Sequence, residues 1–245
     1  MNRFSAVLVC ALLLALTLPL RSLAGTETYG IRGLPALGSG STGPTAINEK
    51  GEVVGSAPTG APLGVQHAVL WLPWPAYGLE AGLHDLGTLG TPALRSSRAG
   101  DINDLGQIVG FSELDLSGPF GVQTRAFAWQ DGVMSALPQT ASGAPYSQAL
   151  GINDLGEVVG SEGFGLTCTP LLWLPSPAYG YPAGVSTLPP LGERLEGSGY
   201  DINNRGQIVG TGVFDGQLRA FLLEPILFAD GFESQDTSAW SQTVP

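Results

Sequence analysis

The chain of 245 residues combines 43% hydrophobic with only 13% charged residues and carries a single lysine, Lys50, a balance that favours strands and turns over helices built from long charged side chains. Its 36 glycines and 19 prolines stay short of low-complexity levels, and the apolar content suffices for a core, so disorder is excluded. A net charge of −11, with no Lys/Arg cluster to offset it, repels phosphate backbones and excludes nucleic-acid binding.

In chain order, the N-terminus has the pattern of an export signal. Asn2 and Arg3 precede the apolar run Ala6 to Leu20, and Ser22-Leu23-Ala24 places small residues where a signal peptidase reads them, so cleavage is expected after Ala24. A 15-residue apolar run is short of the roughly 20 residues a membrane span needs, and no membrane span is expected after cleavage. With Cys10 removed, Cys168 stands alone, so the mature chain forms no internal disulfide. Three regions follow: a signal peptide over 1–24, a β-repeat domain over 25–224 and a C-terminal tail over 225–245.

The repeat domain carries four copies of Ile-Asn-x-x-Gly-[Glu/Gln]-[Val/Ile]-Val-Gly, beginning at Ile47, Ile102, Ile152 and Ile202, with asparagines spaced by 55, 50 and 50 residues. Asn48, Asn103, Asn153 and Asn203 open a turn, the side-chain oxygen accepting a backbone N–H; Gly51, Gly106, Gly156 and Gly206 close it where φ is positive. Short β-branched strands flank the turn, so each motif predicts a β-hairpin with a glycine bulge. An apolar strand follows at His67–Trp71, Arg125–Trp129, Pro170–Trp173 and Arg219–Leu223. A Leu/Gly strand then follows in the first three copies, at His84–Gly90, Val133–Leu137 and Thr187–Gly192. The fourth copy lacks it, while Ile31–Gly38, ahead of the first copy, fits that slot. A longer period pairs Trp71-Leu72-Pro73-Trp74-Pro75-Ala76-Tyr77-Gly78 with Trp173-Leu174-Pro175-Ser176-Pro177-Ala178-Tyr179-Gly180, as in a unit duplicated twice.

The combination Ala-x-x-Ile-Asn-x-x-Gly-x-Val-Val-Gly, (His/Arg)-Ala-Phe and Asp-Leu-Gly-Thr-Leu-Gly resembles the HAF-repeat family of bacterial extracellular repeat proteins. The triplet stands here as His67-Ala68-Val69, Arg125-Ala126-Phe127 and Arg219-Ala220-Phe221 and is degraded in the third copy. The resemblance spans roughly Tyr29 to Leu223; it implies an exported repeat protein and carries over no catalytic residues. The tail, with Asp230-Gly231-Phe232-Glu233-Ser234 and Trp240-Ser241, is similar to the endings of secreted Gram-negative proteins.

About four short strands per unit fit a blade, and one such sheet cannot bury its apolar faces alone. The expected fold is therefore all-β, a small four-bladed β-propeller in which Ile31–Leu37 pairs with Ala220–Leu223 to close the last blade. An open β-solenoid is the alternative.

No catalytic or metal site stands out. His67 and His84, the only histidines, occupy strand positions that carry Arg125 or Ser186 in other units. The loop at Asp101-Ile102-Asn103-Asp104-Leu105-Gly106 fails as a calcium loop, because the fifth position is Leu105 and the twelfth is Ser112. No cofactor or metal is expected. Trp71, Trp129 and Trp173 recur in register and read as core, while Trp74, Tyr77, Tyr179 and Tyr181 fall in Pro-rich inserts where sugars could stack. The expected function is a non-catalytic module, structural or ligand-binding, at the cell surface or outside the cell, with the periplasm as the alternative location and a glycan or surface polymer as the partner class. The alternative function is a carbohydrate-active enzyme with Asp101 and Asp201 facing each other at a central channel.

Overall fold

The computed structural model describes residues 29–35, 37, 41–60, 64–92, 94–114, 122–164, 167–190 and 194–225. The expected signal peptide and nearly all of the expected tail lie outside the described residues.

The described residues form fifteen strands and no α-helix. Sheet 1 is β1 (Gly43–Ile47), β2 (Val53–Pro58), β3 (Gln66–Leu72) and β4 (Gly82–Gly87). Sheet 2 is β5 (Ser97–Ile102), β6 (Ile108–Leu114), β7 (Gln123–Gln130) and β8 (Val133–Ala136). Sheet 3 is β9 (Ser147–Ile152), β10 (Val158–Glu162), β11 (Thr169–Leu174) and β12 (Gly184–Thr187). Sheet 4 is β13 (Gly197–Ile202), β14 (Ile208–Phe214) and β15 (Gln217–Leu223). Each is an antiparallel meander in chain order, so the four motifs occupy equivalent places, each joining the first two strands of its sheet.

Alternation along the strands gives every sheet two apolar faces, and consecutive sheets bury them against each other. Val54, Leu70 and Leu72 of sheet 1 meet Ile108, Phe127 and Trp129 of sheet 2. On its other face sheet 2 presents Val109 and Ala126 to Val158, Leu171 and Trp173 of sheet 3. Sheet 3 in turn presents Val159, Leu172 and Leu174 to Ile202, Ile208 and Phe221 of sheet 4. Trp71, Trp129 and Trp173 are buried, as their recurrence in register predicts.

Three details differ from expectation. The turn glycine forms the expected bulge, with Asn48 N–H donating to the Glu52 carbonyl and Gly51 N–H to that of Asn48, but a second bulge lies within the first strand: the register shifts between Pro44 and Ala46, and again between Ala99 and Asp101 and between Gly199 and Asp201. The extra residue bends the strand where neighbouring sheets come closest. Two of the Leu/Gly strands also sit earlier than read, β4 ending at Gly87 and β12 at Thr187, since Leu188 is needed as a buried plug next to Ile208.

The third difference concerns the ends. Pairing of Ile31–Leu37 with Ala220–Leu223 is the expectation, but residues 31–35 form no strand and, among the described residues, β15 pairs only with β14. Leu34 instead lines a cavity of about 250 Å³ with Pro44, Val53, Val69, Trp71 and Leu83 of sheet 1. Apolar contact with the sheet that follows directly in sequence closes a far shorter loop than reaching the last strand.

Candidate functional site

Each repeat turn is held by its own asparagine. The Oδ1 atoms of Asn48, Asn103, Asn153 and Asn203 each accept two backbone N–H bonds, from the residues two and four positions on, at 2.9–3.1 Å. The turn glycine donates to the asparagine carbonyl at 3.0–3.1 Å. Gly51, Gly106, Gly156 and Gly206 all have φ between 72° and 80°, the left-handed region that side chains avoid.

The asparagine side chains also join the sheets. Asn48 Nδ2 donates to the Asn103 carbonyl at 3.1 Å, Asn103 Nδ2 to Asn153 at 2.9 Å, and Asn153 Nδ2 to Asn203 at 3.0 Å. A second rail runs beside it. Glu49 N–H donates to Asp104 Oδ1, Asp104 N–H to Asp154 Oδ1 and Asp154 N–H to Asn204 Oδ1, at 2.8–2.9 Å. The four turns line one shallow cavity of about 260 Å³.

The sixth motif position, glutamate in copies one and three and glutamine in copies two and four, turns out to be paired with the Pro-rich inserts. Glu52 and Glu157 are buried, and one oxygen of each accepts from its asparagine Nδ2 at 2.6 Å and from a tyrosine hydroxyl at 2.9 Å, Tyr77 for Glu52 and Tyr179 for Glu157. The tyrosines reach there from tight turns closed by Ala76–Leu79 and Ala178–Tyr181. Both central residues of each have positive φ, Tyr77 and Gly78 in one, Tyr179 and Gly180 in the other, the type I′ geometry. Each ring covers the turn glycine of the next sheet, Gly106 under Tyr77 and Gly206 under Tyr179. Burial, then the bond to a carboxylate, raises both hydroxyl pKa values, Tyr179 to about 12 and Tyr77 further still. The glutamine copies lack this insert: Gln107 turns to Gln130 and Gln207 to Glu224.

Of the residues read as sugar platforms, then, Tyr77 and Tyr179 hold a structural hydrogen bond, Tyr181 packs against the core of sheets 3 and 4, and Trp74 is exposed. Sequence reasoning missed Glu52 and Glu157. The usable signal was that glutamate occurs only in the two copies carrying Pro-Ala-Tyr-Gly.

Asp101 and Asp201 are brought near one another, with the Gly151-Ile152 backbone of β9 between them. Asp101 accepts the N–H groups of Ile102 at 2.8 Å and Ile152 at 2.9 Å, and Asp201 accepts that of Ile202 at 2.8 Å. A Cβ on Gly151 would stand 3.2 Å from an Asp201 oxygen. Burial pushes the Asp101 carboxyl up, the two N–H donors pull it back, and the Asp201 charge adds a further push.

His67 is buried between Asp85, whose two oxygens lie 2.8 and 2.9 Å from Nδ1, and the Pro92 carbonyl, 2.8 Å from Nε2. It ties the third strand of sheet 1 to the fourth and to the loop beyond. His84 Nε2 lies 2.6 Å from the Glu80 carbonyl. Burial raises the Cys168 thiol pKa, opposing thiolate formation. Among the described residues no group of three His, Cys, Asp or Glu side chains is placed to hold a metal ion.

In comparisons with known proteins, the chain matches no protein-family model and no curated protein sequence.

Proposed function

We propose that the chain is an exported, non-catalytic repeat scaffold of the HAF-repeat type, acting at the cell surface or outside the cell. The observation that carries this reading is that the asparagines of the first three copies, Asp101 and one oxygen each of Glu52 and Glu157 are engaged by groups of the repeat itself. Asn48, Asn103 and Asn153 each saturate a turn and bridge to the next sheet; Glu52 and Glu157 are held by tyrosines; Asp101 is occupied by two backbone donors. A general acid or base needs a face open toward a substrate, and these groups have theirs turned to the protein.

The four sheets are best understood as blades of a propeller-type arc rather than rungs of a linear solenoid. At the turn edge neighbouring sheets touch backbone to backbone: a Cβ on Gly100 would stand 2.9 Å from the Ala149 carbonyl oxygen. Farther out they are held apart by Trp129, Trp173 and leucines, the roughly 10 Å spacing of packed sheets. Sheets close at one edge and spaced at the other fan out around the turns. Ligand display then falls to the insert carrying Trp74, the most exposed ring of the candidate set and one without a structural hydrogen bond to a buried carboxylate, with a glycan or surface polymer as the ligand class.

The test is a screen of the purified chain on a glycan array and on a panel of glycoside substrates, run beside Asp101→Asn and Trp74→Ala. No hydrolysis is expected from the parent, and glycan binding should weaken in Trp74→Ala. Hydrolysis by the parent that disappears in Asp101→Asn replaces the scaffold with the carbohydrate-active enzyme.

A further inference from the structure

Three consecutive sheet–sheet contacts repeat one design, and the two ends of the array hold its unmatched halves. The face of sheet 4 pointing away from sheet 3 carries Val209 and Leu222, which are cross-strand neighbours. Their counterparts are Val54 with Leu70 in sheet 1 and Val159 with Leu172 in sheet 3, each covered by the following sheet. Val54, Leu70, Val159 and Leu172 are at most 1% exposed, whereas Val209 is 45% and Leu222 57% exposed. Leu218 and Ala220 continue the stripe, both exposed.

At the other end, Ile47 is 67% exposed, against 5%, 7% and 3% for Ile102, Ile152 and Ile202 in the same motif position. Each of those three is covered because a preceding sheet lies against it. Where the later sheets receive their predecessor, sheet 1 has Val69 and Trp71 buried beside the cavity of about 250 Å³ that Leu34 lines, so that Ile47 and Leu34, itself 39% exposed, form the apolar surface there.

The hydrogen-bond rails end in the same complementary way. Asn48, Asn103 and Asn153 donate Nδ2 across to the next asparagine carbonyl, but among the described residues Asn203 Nδ2 bonds only within its own turn, to Gln207 Oε1. At the head of the array, among the described residues, the Asn48 carbonyl receives only its own turn's Gly51. Glu49 places a carboxylate where Asp104, Asp154 and Asn204 each accept a neighbour's N–H.

We propose that sheet 4 of one chain binds sheet 1 of a second copy of the same chain, continuing the internal sheet–sheet contact between molecules. The apolar stripe of Val209, Leu218 and Leu222 covers the partner's exposed Ile47 and Leu34, Asn203 Nδ2 donates to the partner's Asn48 carbonyl, and Asn204 N–H donates to the partner's Glu49. The occupant is a second copy because sheet 1 offers the same motif face, in register, that sheets 2, 3 and 4 offer their predecessors. The contact is heterologous, so it builds a closed ring or a filament rather than a face-to-face pair. This proposal rests on the equivalence of the four sheets and is independent of whether the scaffold binds a glycan.

The test uses the purified full-length secreted chain with Leu222→Arg at one end and Ile47→Glu at the other, both on exposed positions. Sedimentation equilibrium across a concentration series should give the parent a mass of at least two chains, and each variant the mass of one. Each variant keeps one intact end, so mixing the two should restore an assembly of two chains, one of each kind. Circular dichroism spectra unchanged in both variants, and a thermal midpoint matching that of the parent at dilutions where the parent is a monomer, show that the sheets remain folded, and Leu222→Gln serves as a milder second variant if Leu222→Arg fails this check. A monomeric parent at every concentration overturns the proposal, as do variants that assemble like the parent. Monomeric variants that do not complement each other overturn the head-to-tail arrangement, and self-association lost in one variant but kept in the other replaces it with a contact of one face with itself.

Discussion

At the scale of the residue, the asparagine of the motif does two jobs whose weights differ along the array. Its Oδ1 organises the local turn in all four copies, whereas its Nδ2 reaches the next sheet only in the first three. Asn153 is also buried beside Glu157, so Asn153→Ala leaves a carbonyl, two N–H groups and a carboxylate short of a partner. The expected cost is about 3 kcal/mol, in the range for several desolvated polar groups losing a bond, against about 1 kcal/mol for Asn203→Ala at the exposed end. Urea unfolding of the two variants measures the difference, and equal losses would show that the rail between sheets contributes nothing. The turn glycines divide similarly. Gly51→Ala meets only the strain of a left-handed residue, about 1–2 kcal/mol, with nothing within 4 Å of the new Cβ. Gly106→Ala adds an overlap with the Tyr77 ring and should lose about 1–3 kcal/mol more, as overpacked sites do. The turn itself was legible in the sequence because its bonds span at most four residues. The rail was not, because a 50-residue spacing does not say which carbonyl an amide will meet.

At the scale of the element, the Pro-rich insert is a clasp: it grows from one sheet, caps that sheet's buried glutamate and lies over the next sheet's turn. Tyr77→Phe strips Glu52 of one of its two donors, and the expected loss is about 2 kcal/mol, the range for a hydrogen bond to a buried charged group. Glu52→Gln in that background should recover much of it, since sheets 2 and 4 use glutamine with no tyrosine above it. A double-mutant cycle reads this coupling; additive losses would mean that hydroxyl and carboxylate act independently. The same pair sets an alkaline limit. A hydroxyl pKa raised on folding contributes stability that is complete below the unfolded tyrosine value near 10 and is lost as pH climbs through the folded value, about 12 for Tyr179. Ultraviolet titration should therefore show Tyr77 and Tyr179 ionising only well above the ordinary tyrosine value near 10, together with loss of structure, and Tyr179→Phe should remove one late step. Reading the insert as a sugar platform followed from aromatic rings among prolines, which signal a surface loop. What decided their role was the positive φ at Tyr77 and Tyr179, which composition does not betray and which turns the rings inward.

At the scale of the whole molecule, the four-fold repetition was plain in the sequence because each sheet repeats the same local pattern. How the array ends was not, since apolar alternation marks a face as stickable without saying what covers it. That asymmetry dictates how the molecule opens. Among the described residues, sheets 2 and 3 are clasped on both faces, whereas sheet 4 is covered on one, and its last strand, β15, has a neighbour on one side only. In a linear repeat array stability is a sum of unit and nearest-neighbour terms, so the half-covered end unit opens at the least cost. Native-state hydrogen exchange on dilute protein should therefore find the amides of β15 exchanging on the order of a hundredfold faster than those of β10, equivalent to about 2.7 kcal/mol between local and deeper opening. If sheet 4 receives sheet 1 of another chain, this gap should narrow as concentration rises in the parent and stay fixed in Leu222→Arg. Equal exchange in β10 and β15 at low concentration would mean that the four sheets open as one unit, and that the bare outer face of sheet 4 costs the fold nothing.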